Sequence, residues 1–485
     1  MTDAAAPVPG TTQEAPARLD ARPGTLPGAG LAGAAASVLA LDPLAPYDAV
    51  LLLSYGGPRR PEDVLPFMRN ATAGRGVPDS RLLEVSGHYQ GFGGASPINA
   101  RNAELRDALQ ARLAERGSTL PIVVGNRNWH PFVSQALREL ADAGARRVLA
   151  LPTAAFGSYS GCRQYREDLA GAVALLADGA DGSTGEGFEA DAAARVGGDG
   201  GGPVALTVDK TRPYYNTPGL LQANIDAIVE AYGALAEQGV AAAGARLVLV
   251  THSIPLGMEA GSAPGKGPEN APGASGTPDA HDPSDVDGPT EAGRREPGVA
   301  ADLSTEVSYV DQHEALAAVL VPEAARRLGL ETVEADLVYC SRSGPPQARW
   351  LEPDVNDHLE ALAAGHLTDG SPVDRPGGVV VAPFGFISDH MEVVFDLDTE
   401  AAQTARDLGM PYVRAATVGT HPAFVDSLVD ILVERAATAR GEDVRPDSTT
   451  GVGPFHTVCP DSCCRPGTRH PGRPAQHGTD GAGPR

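Results

Sequence analysis

The chain has 485 residues, room for two or more domains. Its 62 acidic against 38 basic residues give a net charge of −24, which argues against a nucleic-acid partner because phosphate binding needs a basic face. No apolar run is long enough to span a bilayer, the N-terminus lacks a basic region followed by an apolar stretch, and five cysteines are too few for a disulfide scaffold; the expected compartment is the cytoplasm, without stable membrane insertion.

Residues 1–46 are Ala/Pro/Gly-rich and aperiodic, and read as a disordered arm. YDAVLLLSYGG (47–57) is a short apolar run ending in Gly-Gly-Pro, a buried strand and a turn. Helices are expected at 61–70 and 97–116. PIVVGNRNW is a strand, PFVSQALRELADAG a helix, RRVLALPTAAF a strand and YREDLAGAVALLAD a helix. A polar insert at about 180–202 interrupts the rhythm. PVALTVDKT resumes it, a helix follows near 217–238, and ARLVLVTHSIP is a strand.

A second Gly/Pro/Asp/Ser-rich insert spans about 259–304, and both inserts are expected to be disordered. Beyond it come a helix (313–328), the strands ADLVYCSRSGPP and GVVVAPFGFISDH, and the helix EVVFDLDTEAAQTARDLG. The strand PYVRAATVG and the helix HPAFVDSLVDILVERA close the folded part. Strand–helix alternation with strands apolar on both faces indicates α/β architecture with parallel sheets. Two Rossmann-like, doubly wound domains are expected, with a cleft between them: 47–157 plus 414–437, and 158–413. Residues 440–485 read as a disordered tail.

In open α/β sheets, ligands lie beyond the carboxyl ends of the strands. Tyr55 follows the first strand, His252 ends LVLVTH, Arg342 follows LVYC, and His390 and Glu392 follow VVVAPF. The near-neutral imidazole of His252 suits proton transfer or metal binding. Glu392, Asp396 and Glu400 recur at i, i+4 and i+8, which places three carboxylates on one helical face. Such a ladder is either a solvated acidic face or a path for a divalent cation. No phosphate-cradling loop is present: GFGGASP has no preceding strand and lacks the dinucleotide spacing, and no G-x-x-x-x-G-K-[ST] occurs.

Five stretches in order, SYGGP, HYQGFGGASPIN, THSIP, SRSGPPQARWLEPD and FGFISDHMEVVFDLDTE, resemble ferrochelatases, over about 47–437 apart from the inserts. The resemblance implies a lyase that inserts ferrous iron, its substrate, into a porphyrin held between two Rossmann-like domains. It assigns His252 and Glu392 to the iron site and proton acceptance, His390 to a second histidine position, and Asp396 and Glu400 to an acidic path for metal. Tyr55, Ser96 and Tyr165 match porphyrin contacts. Tyr55 and the actinobacterial character of the chain favour coproporphyrin III over protoporphyrin IX. Arg127, Arg75 and Arg342 are candidates to pair with its four propionates, or are ordinary surface arginines. A coproheme decarboxylase is then a downstream partner, and the chain is expected to be a monomer. A tetrapyrrole or metal carrier without turnover, and a cobalt chelatase, are the competing readings; His252 and Glu392 together favour the enzyme.

CPDSCC (459–464) holds three of the five cysteines. The resemblance extends to members with a [2Fe–2S] cluster, whose mid-chain ligand matches Cys162 in SYSGCRQYRED. Cys162, Cys459, Cys463 and Cys464 would supply four thiolates. By spacing alone the same thiols could bind Zn²⁺. The adjacent pair Cys463-Cys464 is awkward for either metal, which leaves Cys340 open as a substitute ligand. Otherwise Cys340, at the end of a buried strand, is a small apolar filler.

Overall fold

The computed structural model describes residues 41–178, 204–263, 307–342, 348–460 and 463–464. Eight strands form two parallel sheets. The first contains β1 (Ala49–Ser54), β2 (Ile122–Asn126), β3 (Arg147–Pro152) and β4 (Thr207–Lys210), in the order β2-β1-β3-β4. The second contains β5 (Ala245–His252), β6 (Ala335–Cys340), β7 (Gly378–Ala382) and β8 (Tyr412–Arg414), in the order β6-β5-β7-β8. The two orders are the same, so the fold repeats itself although the sequence shows no repeat. In each sheet the order reverses beside the founding strand, between β1 and β3 and between β5 and β7. Ligands bind at such switch points in open α/β sheets.

Alternation along the strands explains why both faces of each sheet are buried. Val50 and Leu52 point into one core, while Ala49, Leu51 and Leu53 point into another. Leu247 and Leu249 share the core of Val50 and Leu52, whereas Val248 and Val250 face the opposite way. A single central core therefore joins the two sheets, with helices Pro218–Glu237, Tyr309–Leu328 and Pro422–Ala439 inside it. Helix Tyr309–Leu328 begins with a capping box, Ser308 Oγ accepting from Asp311 N, and ends at Gly329 in the left-handed region.

Helix Pro422–Ala439 follows β8 of the second sheet but returns across helices 98–115 and 218–237. Arg116 pairs with Asp430 at 3.1 Å and Arg112 pairs with Asp426. At Gly219 the backbones nearly touch: a Cβ there would lie 1.8 Å from the Ala423 carbonyl oxygen.

Four boundaries differ from expectation. The first domain was expected to close at 157. Instead β4 pairs with β3, Val148 opposite Val208, so the first sheet runs on to Lys210. The insert before β4 hid this continuity, because strand pairing is a long-range choice. The second insert was expected from 259, but Leu256–Ser262 is a helix, with Ser262 Oγ accepting from Tyr309 N. The tail was expected to be disordered from 440. Residues 443–460 are laid along the body: Arg212 binds Glu434 at 2.8 and 3.0 Å and the Asp447 carbonyl at 3.2 Å, and Asn216 Nδ2 donates to the Gly453 carbonyl at 2.7 Å. Phe455 is buried against Tyr215. At the other end, Leu44 is buried and Arg440 donates to the Pro43 and Ala45 carbonyls, so order begins before Tyr47. The expectations for 1–40, 180–202, 264–304 and 465–485 fall outside the described residues.

Candidate functional site

The apolar run of β5 ends in Thr251-His252, and its parallel neighbour β7 runs out through Pro383 to Glu392. The two chain segments flank the switch point of the second sheet. His252 Nε2 lies 3.6 Å from Glu392 Oε2, and His390 Nδ1 lies 3.8 Å from the same oxygen. His252 Nδ1 is bonded to the Ser253 carbonyl, which can only accept, so the proton sits on Nδ1 and Nε2 faces Glu392. Behind the histidine, Thr251 Oγ1 lies 2.8 Å from both Tyr309 Oη and His313 Nε2, and Tyr309 Oη donates to the His252 carbonyl at 3.2 Å. Burial holds His313 neutral, with its pKa lowered to about 3. None of these buried supports carried a signal in the sequence beyond its polarity.

The electrostatics divide the roles. Burial works against a charged His252, but the facing Glu392 carboxylate and the Ser253 carbonyl outweigh it and its pKa is raised. Burial also opposes charge on Glu392, yet His252 and His390 more than offset this and hold its carboxyl at about 2. His390 is lowered, first by burial and then by His252, despite Glu392. It is kept neutral, the form that can ligate a metal.

Glu392 leads into a π-helical segment, Val393–Ala401, whose buried side is Val393, Leu397 and Ala401. The adjoining side carries Asp396 and Glu400, so the three carboxylates run from the cleft to the exposed Glu400. Burial raises Asp396 to about 7, with Glu392 and Glu400 adding repulsion, although Ser341 Oγ donates to it. Segments of this wide-turn type are rare and concentrate at functional sites.

The first sheet supplies the facing wall. Tyr55 follows β1 with 38% of its surface exposed, and its ring meets Phe67 edge-on at 6.2 Å. Phe67 in turn touches Tyr89 and Trp129. Helix Asp79–Gly91, unrecognised in the sequence, lays His88 flat on Phe395 of the π segment, with ring centroids 3.9 Å apart. Its end is pinned at Gly94, which has φ +76° and whose Cβ would lie 2.3 Å from Pro61 Cα. Ser96 is buried beside Gly57.

Arg127 already has an internal carboxylate partner. Its guanidinium is paired with Asp168 in a bridge that leaves the two side chains 8% and 11% exposed. It lies 4.5 Å from the Tyr165 ring centre and 6.0 Å from that of Tyr55. Asp168 sits one turn beyond Tyr165, a relation that sequence spacing offered without its consequence. Arg75 is exposed and pairs with no carboxylate among the described residues; burial and then Glu392 raise the Tyr55 hydroxyl pKa, and Arg75 offsets only part of that rise. Arg342 makes looser pairs with Glu352 and Asp357, at 3.4 and 3.9 Å.

A second constellation lies at the carboxyl edge of the first sheet. Cys162 sits in a π turn, Tyr159–Arg163, just after β3. The tail brings Cys459, Cys463 and Cys464 to it, and the four thiols cluster together. Cys463 Sγ and Cys464 Sγ are 3.6 Å apart, and Cys464 adopts φ 49°, which turns the adjacent pair to one side. Cys340 is elsewhere, buried at the end of β6 beside Ser341. Arg163 donates to the Cys463 carbonyl at 3.1 Å, and Arg166 to the carbonyls of Cys459 and Pro460 at 3.2 Å each. Lys210 Nζ is 3.3 Å from Cys162 Sγ. The pocket is lined by these four cysteines and three cations. Anionic thiolates in cationic surroundings suit a metal–sulfur group. His456 was missed: it brings a ring nitrogen within 4.8 Å of the sulfurs of Cys459 and Cys463, and its spacing before Cys459 was the available signal. The tail docks on the first sheet, because Cys162 follows β3 and Lys210 ends β4.

The ferrochelatase family model matches residues 47–436. A coproporphyrin III ferrochelatase from Streptomyces griseus is 42% identical over 90% of this chain and 97% of its own length. One from Streptomyces coelicolor is 41% identical over the same shares. Among solved structures, SirB from Bacillus subtilis with Fe³⁺ aligns with 81% of this chain and 97% of its own, at a TM-score of 0.39 and 10% identity, too distant to carry weight. With eight parallel strands in two doubly wound sheets and the family match spanning both, the chain belongs to the ferrochelatase family.

Proposed function

We propose that the chain inserts ferrous iron into coproporphyrin III to give coproheme. The observation that carries this reading is the facing of His252 and Glu392, 3.6 Å apart at the switch point of the second sheet. The name shared by relatives that cover nearly the whole chain supports the choice of porphyrin.

Two pyrrole protons must leave as Fe²⁺ enters. A flat macrocycle hides its nitrogen lone pairs, so binding its periphery must bend it. His252 takes a proton at Nε2, its Nδ1 being committed to Ser253, and Glu392 stabilises the imidazolium. His390, held neutral, offers a second nitrogen to the metal. Asp396 and Glu400 lead Fe²⁺ in from solvent. Tyr55, Ser96 and Tyr165 line the porphyrin side, Arg127 braces the two tyrosines through Asp168, and Arg75 is the arginine left for a propionate. The same reading makes the protein a cytoplasmic monomer that hands its product to a coproheme decarboxylase.

Cys162, Cys459, Cys463 and Cys464 would hold a [2Fe–2S] cluster. That group supplies one-electron chemistry and ties the tail to the first sheet. The proximity of His456 to Cys459 and Cys463 favours zinc as the second reading.

An anaerobic insertion assay tests the function, with coproporphyrin III and protoporphyrin IX compared. Turnover is expected with the first in preference to the second. His252→Ala should lose about 100-fold or more, the scale of proton-transfer catalysis. A folded His252→Ala protein with normal turnover would sink the assignment. Absorption of the purified protein, with iron and sulfide content, separates cluster from zinc.

A further inference from the structure

Lys210 ends β4, and its side chain lies among the thiols. Nζ is 3.3 Å from Cys162 Sγ and 2.8 Å from the Thr211 carbonyl oxygen. Among the described residues no carboxylate pairs with it. The nearest candidate by sequence, Asp209, is turned to the opposite face by the period of the strand. Asp209 is also fully committed there, to Arg147 at 2.9 Å, Arg435 at 2.8 Å and Tyr47 Oη at 2.9 Å.

A partly buried ammonium without a carboxylate needs another anion beside it. Arg163 and Arg166 line the same pocket and donate to backbone carbonyls of the tail. Lys210 is the cation whose donated hydrogen bond reaches a sulfur.

We propose that Lys210 is the counter-charge of the metal–sulfur group and, through its Nζ–H···Sγ hydrogen bond to Cys162, raises the reduction potential of that group. This rests on the four cysteines being ligands of a [2Fe–2S] cluster. One-electron reduction converts one ferric ion to ferrous, breaks no bond and adds one negative charge to the centre. A fixed ammonium beside Cys162 stabilises the reduced form more than the oxidised one. Hydrogen bonds to sulfur and local charge are among the levers that set such potentials. Arginine at this position keeps the charge and a donor; methionine keeps the length and loses both.

The test uses the full chain, purified anaerobically as wild type, Lys210→Met and Lys210→Arg. Iron and acid-labile sulfide are counted first. The potential is then followed by absorption and electron paramagnetic resonance during titration with dithionite. A lower potential in Lys210→Met, with Lys210→Arg close to wild type, is the expected result. Loss of the cluster from Lys210→Met alone also supports the counter-charge. A full cluster at the wild-type potential in Lys210→Met overturns the proposal, as does loss of the cluster from both variants, which assigns Lys210 to packing. Wild-type protein without sulfide removes the cluster reading itself, and the proposal with it.

Discussion

Asp396 sits between two carboxylates and titrates near pH 7, because burial outweighs the hydrogen bond from Ser341. Its carboxyl is neutral below that pH and anionic above it. A group that hands on Fe²⁺ must be anionic, so iron insertion should rise as pH crosses about 7. Asp396→Asn should flatten that limb of the pH profile, and Ser341→Ala should move it to higher pH, since the hydroxyl stabilises the anion. A profile that Asp396→Asn leaves unchanged would take Asp396 out of the metal path. The i, i+4, i+8 spacing of the three carboxylates was readable in the sequence. The near-neutral pKa was not, because it depends on a serine 55 positions away. Arg127 makes the same point: its position after β2 was legible, but its pairing with Asp168, 41 residues on, was not.

At the scale of elements, β5, β6 and the helix Val355–Ala363 are pinned by one carboxylate. Asp336 of β6 pairs with Arg246 of β5 and lies 3.0 Å from His358 Nε2 on the helix. Burial opposes its charge, but the Arg246 and His358 hydrogen bonds win and hold it at about 2, below its ordinary value of 3.8. Its stabilisation is thus complete above about pH 4 and is lost as pH falls through about 2. Discounted for solvent screening, the shift corresponds to about 1 kcal/mol. Asp336→Asn should therefore lower stability at pH 5, and the gap to wild type should close towards pH 2, as measured by urea unfolding at each pH. A gap that stays constant would deny Asp336 this role. The helix itself escaped the sequence reading even though Asp354 caps it, Oδ1 accepting from Asn356 N at 2.9 Å. Its start lies just after Pro353, at the end of the motif SRSGPPQARWLEPD. Helix Asp79–Gly91 escaped because only Leu82 of its residues is buried, so no apolar period marks it.

The whole molecule depends on two returns of the chain. Helix Pro422–Ala439 crosses back at Gly219, where Ser427 Oγ also accepts from the glycine N at 2.8 Å. Gly219→Ala should cost about 1–3 kcal/mol as overpacking against the Ala423 carbonyl, read as a lower unfolding midpoint. The tail makes the second return, held by Arg212, Asn216, Phe455 and the thiol cluster. A metal held by the four thiols would tie this return down, so a chelator should then speed tryptic cleavage at Arg445. Equal cleavage with and without metal would mean that the polar contacts alone hold the tail.

The sequence by itself determined the parallel α/β class, most strands and helices, the strand-end positions of His252 and Glu392, and the family. These follow from apolar period, turn residues and short motifs, all encoded within a few neighbouring positions. Only the tertiary structure decided that β4 joins the first sheet and that Arg127 is occupied by Asp168. It also decided that Cys340 stands apart from the four clustered thiols, and that Lys210 turns to sulfur while Asp209 turns away. Each of these depends on which distant segments share a face and how deeply they are buried, and local sequence carries no record of either.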